Sequence, residues 1–207
     1  MFEFSQETLE KLQCYQALLK KWQAQINLIS PSTIEDAWTR HFVDSAQIAD
    51  FIPQDGIKRT LVDLGSGAGF PGLVLAIIRP DLGVHLIESN HKKSTFLRTV
   101  SRETHTEVTI HTLRIEDAIQ DMRGVMGDNK PDILTARALT SLKDLLGYSL
   151  FFTESNPDLL SLFPKGQRYL DEIEEAKSVF DFTFEHYTSK TDSLSQILTI
   201  QGVQAKK

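Results

Sequence analysis

One run constrains this chain more than any other: Asp63-Leu64-Gly65-Ser66-Gly67-Ala68-Gly69-Phe70-Pro71-Gly72, directly after the apolar stretch Thr60-Leu61-Val62. Glycines at Gly65, Gly67, Gly69 and Gly72 let the backbone turn tightly and let a ligand reach the amides with no Cβ in the way. A buried strand, this turn and an apolar helix from Leu73 to Ile78 open a sheet of the doubly wound kind. Such sheets bind ligands beyond the carboxyl ends of their strands.

The rest of the chain repeats that grammar. Strands are expected at Val84 to Glu88, Val108 to Ile110, Asp132 to Ala136 and Leu159 to Phe163, with helices at Lys92 to Arg102, Ser141 to Phe151 and Asp171 to Val179. Two late strands, near 182–187 and 196–200, are joined by a connection too short for a crossover helix and must pair antiparallel at one edge. The expected fold is therefore α/β: a mostly parallel seven-stranded sheet with an antiparallel edge and helices on both faces.

Ahead of it, Leu9, Leu12, Leu19, Trp22 and Ile26 form one apolar stripe on a helix over 5–28. After Pro31, Ser32-Thr33-Ile34-Glu35 reads as a capping box opening a second helix that buries Ile34, Trp38, Phe42, Ser45, Ile48 and Ala49. Residues 1–207 are expected to form one domain, with 1–56 as an N-terminal helical layer and 57–207 as the sheet core. The glycine-containing loop 121–131 is the expected mobile segment.

Two nucleotide ligands compete for the turn. Gly67, Gly69 and Gly72 satisfy G-x-G-x-x-G, with Glu88 about 20 residues on, as in a dinucleotide site. A pyrophosphate beside the Asp63 carboxylate would be repelled, however. S-adenosylmethionine brings an ammonium and a sulfonium that a carboxylate favours, and it carries no phosphate. Asp63, Gly65, Gly67 and Gly69 are accordingly read as cofactor-binding, and Glu88, ending the second strand, as the acceptor for the ribose hydroxyls. After the third strand, Glu116 or Asp117 either accepts from the adenine amino group or caps the helix at Ala118.

Residues that are missing narrow the reaction. The one cysteine, Cys14, lies on the first helix, far from the strand ends, so a cysteine-activated pyrimidine is not expected. After the fourth strand stands Thr135-Ala136-Arg137-Ala138, without the acid or amide and paired prolines of exocyclic-amine methylation. An acceptor needing little activation remains, and guanine N7 is one. Arg137 is placed to meet a guanine O6 or a phosphate, or else bonds local carbonyls; Lys165 is a second candidate, or an ordinary exposed lysine. No metal site is expected.

These residues resemble the RsmG (GidB) family of bacterial methyltransferases, over nearly the whole chain. The resemblance rests on residues 22–28, on Arg40-His41-Phe42-Val43-Asp44-Ser45, on 63–72 with its Phe-Pro-Gly ending, on Arg79-Pro80, on 93–98, on Ala136-Arg137-Ala138 and on Lys165-Gly166. It implies a class I methyltransferase that makes 7-methylguanosine in 16S ribosomal RNA of the small subunit or its precursor. It further implies cofactor contacts at Gly65, Phe70, Ile115, Glu116 and Arg137, with Arg40, His41, Asp44 and Ser45 near the substrate mouth. Helical spacing pairs Arg40 with Asp44 and His41 with Ser45. Departures from the family are Glu88 in place of a frequent Asp, a longer loop before the fourth strand, Ser155-Asn156-Pro157-Asp158 in place of glycines, a last strand opening without a basic residue, and the acidic run at 171–175.

Charge and composition bound the setting. A net charge of −6 argues against a protein that coats nucleic acid with its whole surface, and leaves room for a basic patch at one pocket. No stretch approaches the ~20 apolar residues of a membrane helix, and no signal-peptide core is visible. A cytoplasmic enzyme with no obligate protein partner is expected. The rival readings are a methyltransferase for a small molecule or a protein, an NAD-dependent oxidoreductase, and a non-enzymatic rRNA-binding protein.

Overall fold

The computed structural model describes residues 3–121, 124–125, 127 and 130–207. Met122, Arg123, Met126, Asp128 and Asn129 lie outside the described residues, and so, in part, does the loop expected to be mobile.

The sheet has seven strands in the order β3-β2-β1-β4-β5-β7-β6. Strands β1 (Thr60–Leu64), β2 (Gly83–Ile87), β3 (Thr109–His111), β4 (Ile133–Thr135) and β5 (Leu160–Lys165) run parallel. β7 (Gln196–Ala205) lies antiparallel to β5, and β6 (Phe180–Thr188) antiparallel to β7. The chain leaves β1 towards β2 and β3, then returns to the other side of β1 as β4. That reversal opens a crevice at the carboxyl ends of β1 and β4. The register sets Asp63 beside Thr135, so the turn after β1 and the loop carrying Arg137 emerge side by side.

Alternation along β1 decides which face each residue serves. Leu61 joins the core cluster with Leu12, Tyr15, Leu19, Phe42 and Leu73, whereas Val62 and Leu64 join the opposite cluster with Ala118, Leu142, Leu146 and Phe163. Asp63 therefore points to the Leu61 side, under the N-terminal layer, and is fully buried. Helices α3 (Gly72–Ile78) and α4 (His91–Glu103) cover that side. Helices α5 (Ile115–Gln120) and α6 (Leu142–Ser155) serve the other, and α7 (Tyr169–Lys177) packs on α6 and β6.

Helix α1 (Gln6–Gln23) starts where the Ser5 side chain accepts the Thr8 N–H, and it buries Leu12, Tyr15 and Leu19 at helical spacing. It stops short of the expected Leu28 because Gln23 folds back: its Oε1 accepts the Leu28 and Ile29 N–H groups and its Nε2 donates to the Ile29 carbonyl. The expected capping box does not form. Residues Pro31–Thr33 make a 3-10 turn, Ser32 bonds Ser30, and the Thr33 hydroxyl is taken by Ser30 O and His41 Nε2. The second helical stretch begins at Trp38 instead, with π-type pairing over Trp38–Val43, α2 at Asp44–Ala46 and a 3-10 turn over Gln47–Phe51. Phe42, Ser45, Ile48 and Ala49 are buried as expected; Ile34 and Trp38 are only half-buried.

The N-terminal layer and the sheet share one cluster of side chains, which supports their unfolding together. Both tryptophans are in that layer, Trp22 against Phe96 of α4 and Trp38 on Phe42. Tryptophan emission and far-UV circular dichroism are expected to give coincident thermal transitions. Midpoints separated by more than a few degrees would show that residues 1–56 unfold on their own.

Candidate active site

The turn after β1 is built from backbone donors fastened to the strand ends. Ser66 N–H donates to Ile87 O (3.0 Å), Gly67 N–H to Glu88 Oε2 (2.8 Å) and Gly72 N–H to Asp63 Oδ2 (3.2 Å). Gly65 and Gly67 adopt φ of +63° and +57°, the left-handed region that side chains resist. A Cβ on Gly65 would stand 2.6 Å from Leu139 Cδ1 of the loop after β4. The positive φ, more than the approach of an exposed leucine tip, favours glycine where turn and loop meet.

Two adjoining cavities, of about 460 Å³ and about 640 Å³, share Gly65, Gly67, Lys93, Ala138 and Thr140 on their walls. The smaller is lined by Glu88, Ile115, Glu116 and Tyr148. Glu88 is nearly buried and held by two amides, Gly67 N–H at Oε2 and Asn90 N–H at Oε1 (2.7 Å). Glu116 accepts the Tyr148 hydroxyl (2.8 Å) and sits within α5, which starts at Ile115 and is preceded by Arg114. The expected helix start at Ala118, with Glu116 or Asp117 as its cap, is therefore corrected. A hydrogen bond from its own backbone amide, then the one from Tyr148, holds the Glu116 carboxyl below its usual range.

The larger cavity is lined by Phe70, Arg137, His41, Asp44 and Lys165, among others. The Arg137 guanidinium is fixed on three sides: Nη1 donates to Arg40 O (3.1 Å) and Asp44 Oδ2 (3.1 Å), and Nη2 donates to His41 Nδ1 (2.8 Å). Its Cζ also stands 5.1 Å from the Phe70 ring centre, on which His41 is stacked. Burial first, and then the Arg137 charge, push the His41 pKa down to about 4. A neutral His41 that accepts at Nδ1 carries its proton on Nε2, which then donates to Thr33 Oγ1 (2.8 Å). The pairs expected from helical spacing are not the ones formed. Asp44 binds Arg137 instead of Arg40, because β4 delivers a guanidinium to that spot. His41 binds Arg137 and Thr33, while the Ser45 hydroxyl is buried without a hydrogen-bond partner among the described residues.

Lys165, at the end of β5, donates to Thr140 O (2.9 Å) and to Glu172 Oε2 (2.7 Å). The same Glu172 oxygen accepts Leu142 N–H (2.7 Å). Lys165 thus ties the loop after β4 to α7, with its side chain only 8 % exposed.

Two residues read as cofactor-binding, Gly69 and Asp63, lie beneath the turn and line neither cavity. Gly69, at φ +93°, packs under the turn, where a Cβ would meet the Tyr15 hydroxyl at 2.5 Å. Asp63 lines neither cavity: one oxygen binds Gly72 N–H, and the other is buried with no partner among the described residues. Burial raises its pKa to about 7, against the lowering effect of its hydrogen bonds. The sequence reading also missed Tyr15 altogether. Its buried hydroxyl donates to Ala68 O, and its ring stacks on Phe70 at 5.4 Å. A tyrosine at a core position of that helix, between Leu12 and Leu19, was the signal available, since a buried phenol needs an acceptor.

Glycine turn, strand-end carboxylate and switch-point crevice define a class I S-adenosylmethionine-dependent methyltransferase fold. Solved structures agree on that fold: an O-methyltransferase from Bacillus cereus aligns with a TM-score of 0.58 over 97% of this chain and 93% of its own, at 13% identity. A fibrillarin/Nop5p complex aligns at 0.59 over 79% and 82%, with 12% identity. At the level of sequence, the family model described as "rRNA small subunit methyltransferase G" matches residues 8–197. The Ribosomal RNA small subunit methyltransferase G of Rhizobium johnstonii is 42% identical over 97% of this chain and 95% of its own. That of Rhodospirillum centenum is 43% identical over 98% and 88%. The chain belongs to this family.

The buried Asp63 has a measurable consequence. Its raised pKa means that its contribution to stability is complete below about pH 3.8 and is lost as pH climbs through about 7. Asp63→Asn keeps an acceptor for Gly72 N–H without the charge. The melting temperature of the variant relative to the parent is expected to rise between about pH 4 and pH 7 and to level off above. A difference independent of pH would refute the shift.

Proposed function

We propose that the protein transfers a methyl group from S-adenosylmethionine to N7 of a guanine in 16S ribosomal RNA, acting in the cytoplasm on the small subunit or its precursor. The observation that carries this reading is Arg137, clamped just beyond the carboxyl end of β4 and packed on Phe70 of the glycine turn in the wall of the larger cavity.

The residues present fit the cofactor. Gly65 and Gly67 bring bare backbone to both cavities, Glu88 faces the smaller one with its carboxylate already oriented, and the unpartnered Asp63 oxygen lies beneath the turn. In this reading Glu88 accepts from the ribose, Ile115 and Glu116 flank the adenine, and Gly65, Gly67 and Phe70 line the end nearer Arg137. Asp63 and Gly69 act from below, by charge and by the shape of the turn. When bound, the cofactor supplies an electrophilic methyl group on a sulfonium.

Guanine N7 offers an in-plane lone pair and has no proton to lose, so no general base is required. This suits His41, whose neutral ring is committed at both nitrogens. Three hydrogen bonds occupy Arg137, and a guanidinium has five N–H groups, so donors remain for the guanine O6. Lys165 holds the loop that carries the arginine. Catalysis is then alignment and exclusion of water.

The test is to map 7-methylguanosine in 16S rRNA from particles of a strain lacking the endogenous activity, treated with the protein and S-adenosylmethionine. Methylation at one guanine is expected; its absence from every guanine N7 sinks the proposal. Arg137→Ala is expected to lower transfer on the order of 10²-fold, as misalignment of reacting groups does. Calorimetry should find the cofactor affinity of that variant changed far less than transfer, since Arg137 bonds Arg40, His41 and Asp44 and meets the cofactor end only through Phe70.

A further inference from the structure

The clamp on Arg137 is itself held by a part of the chain far away in sequence. The hairpin connection at 189–195 folds onto the second helical stretch, and its polar groups converge on one carboxylate. Asp44 Oδ2 faces Arg137, while Oδ1 accepts from Thr191 Oγ1 (2.8 Å), Gln47 Nε2 (2.8 Å) and Ser189 Oγ (3.3 Å). Gln47 is buried and completes the lattice: Nε2 also donates to Ser189 Oγ (2.9 Å), and Oε1 accepts Lys190 N–H (2.8 Å). Lys190 Nζ adds an ion pair to Asp50.

Holding the fold together does not require this. A largely buried ion pair recovers little more than its desolvation cost, and an apolar pair would pack as well. Three donors on one carboxylate oxygen leave the other oxygen a single direction, which is towards Arg137. Fixing a charged group in advance is what a site gains when its chemistry is alignment. Ser189, Thr191, Asp192 and Ser195 also line the larger cavity beside Arg137, so the hairpin is a wall of the site and its anchor at once.

We propose that Asp44 is the positioning residue for Arg137, and that the hairpin at 189–191 sets Asp44 through Thr191, Ser189 and Gln47. The kinetic side of this inference rests on the guanine-N7 reading; the structural side does not. Asp44→Asn keeps the shape and removes the charge, and Thr191→Val removes one donor at constant volume.

Both variants are to be made in the full-length protein, with two independent measurements. In the first, the Arg137 Nε–H resonance is followed by ¹⁵N NMR with no substrate. A resolved signal is expected for the parent, and broadening or loss in Asp44→Asn. In the second, methyl transfer to small-subunit particles is measured at saturating S-adenosylmethionine. Asp44→Asn should lower kcat by more than about tenfold and Thr191→Val by a smaller factor, with melting temperature and cofactor affinity nearly unchanged. The double variant Asp44→Asn, Arg137→Ala should be no slower than Arg137→Ala alone. An unchanged resonance in Asp44→Asn overturns the proposal, as do fully additive losses. A kcat loss matched by an equal loss of cofactor affinity and stability also overturns it, since that marks a purely structural contact. If the parent protein methylates no guanine, the guanine-N7 reading fails, and the NMR arm alone decides the role of Asp44.

Discussion

Two carboxyl groups at strand ends hold the glycine turn, and everything that makes a site depends on them. Asp63 takes the amide of Gly72 from beneath, and Glu88 takes that of Gly67 from the neighbouring strand. The turn is thereby fixed to β1 and β2 together, and both cavities share its wall. The arrangement has a cost. A carboxyl with no exposure and one unpartnered oxygen is the kind of group that folding alone selects against. Its retention under a turn lined for a cation-bearing ligand is consistent with a charge placed for function.

The N-terminal layer completes the turn instead of merely covering the sheet. Tyr15 reaches from α1 to the carbonyl of Ala68, and Phe42 and His41 enclose Phe70 from the second helical stretch, with rings 5.1 Å apart in each case. Each such contact contributes roughly 0.5–1.5 kcal/mol beyond its buried area. The same stretch supplies Arg40 O, His41 and Asp44 to Arg137. The wall of the larger cavity around Arg137 is thus a joint between two layers.

Much of this was legible in the sequence, and the failures share one cause. The strands, their alternation with helices and the antiparallel edge followed from periodicity and connection length, because each is a local property. The turn, Glu88 and Arg137 followed from residue type at strand ends. Pairing across the fold did not. Helical spacing matched Asp44 to Arg40, but a competing guanidinium arrives from a strand more than ninety residues later. The capping box at Ser32 failed because no helix opens there: residues 31–33 close a 3-10 turn and the Ser32 hydroxyl pairs with Ser30. Asp63 was read as cofactor-binding from its charge; that β alternation sets it on the Leu61 side, beneath the turn, is a depth residue type alone does not give. Tyr15 gave little sign, since an aromatic at a core position is ordinary until its hydroxyl finds an acceptor.

An acidic protein that acts on a polyanion must confine its attraction to the mouth of the site. With a net charge of −6, the chain gains nothing from its overall field when it approaches RNA. Cations do gather at the two cavities: Arg40, Lys93, Arg137 and Lys165 line the larger one, and Arg114 the smaller. Of these, Arg137 and Lys165 are neutralised locally by Asp44 and Glu172. Asp192 acts on Arg40 and Glu116 on Arg114 in the same way, so the field offered to a phosphate is small, and charges this few give a shallow salt dependence. Such a surface offers shape and the few N–H groups left on Arg137 more than bulk attraction. At the clamp, three elements distant in sequence agree on the position of a single side chain.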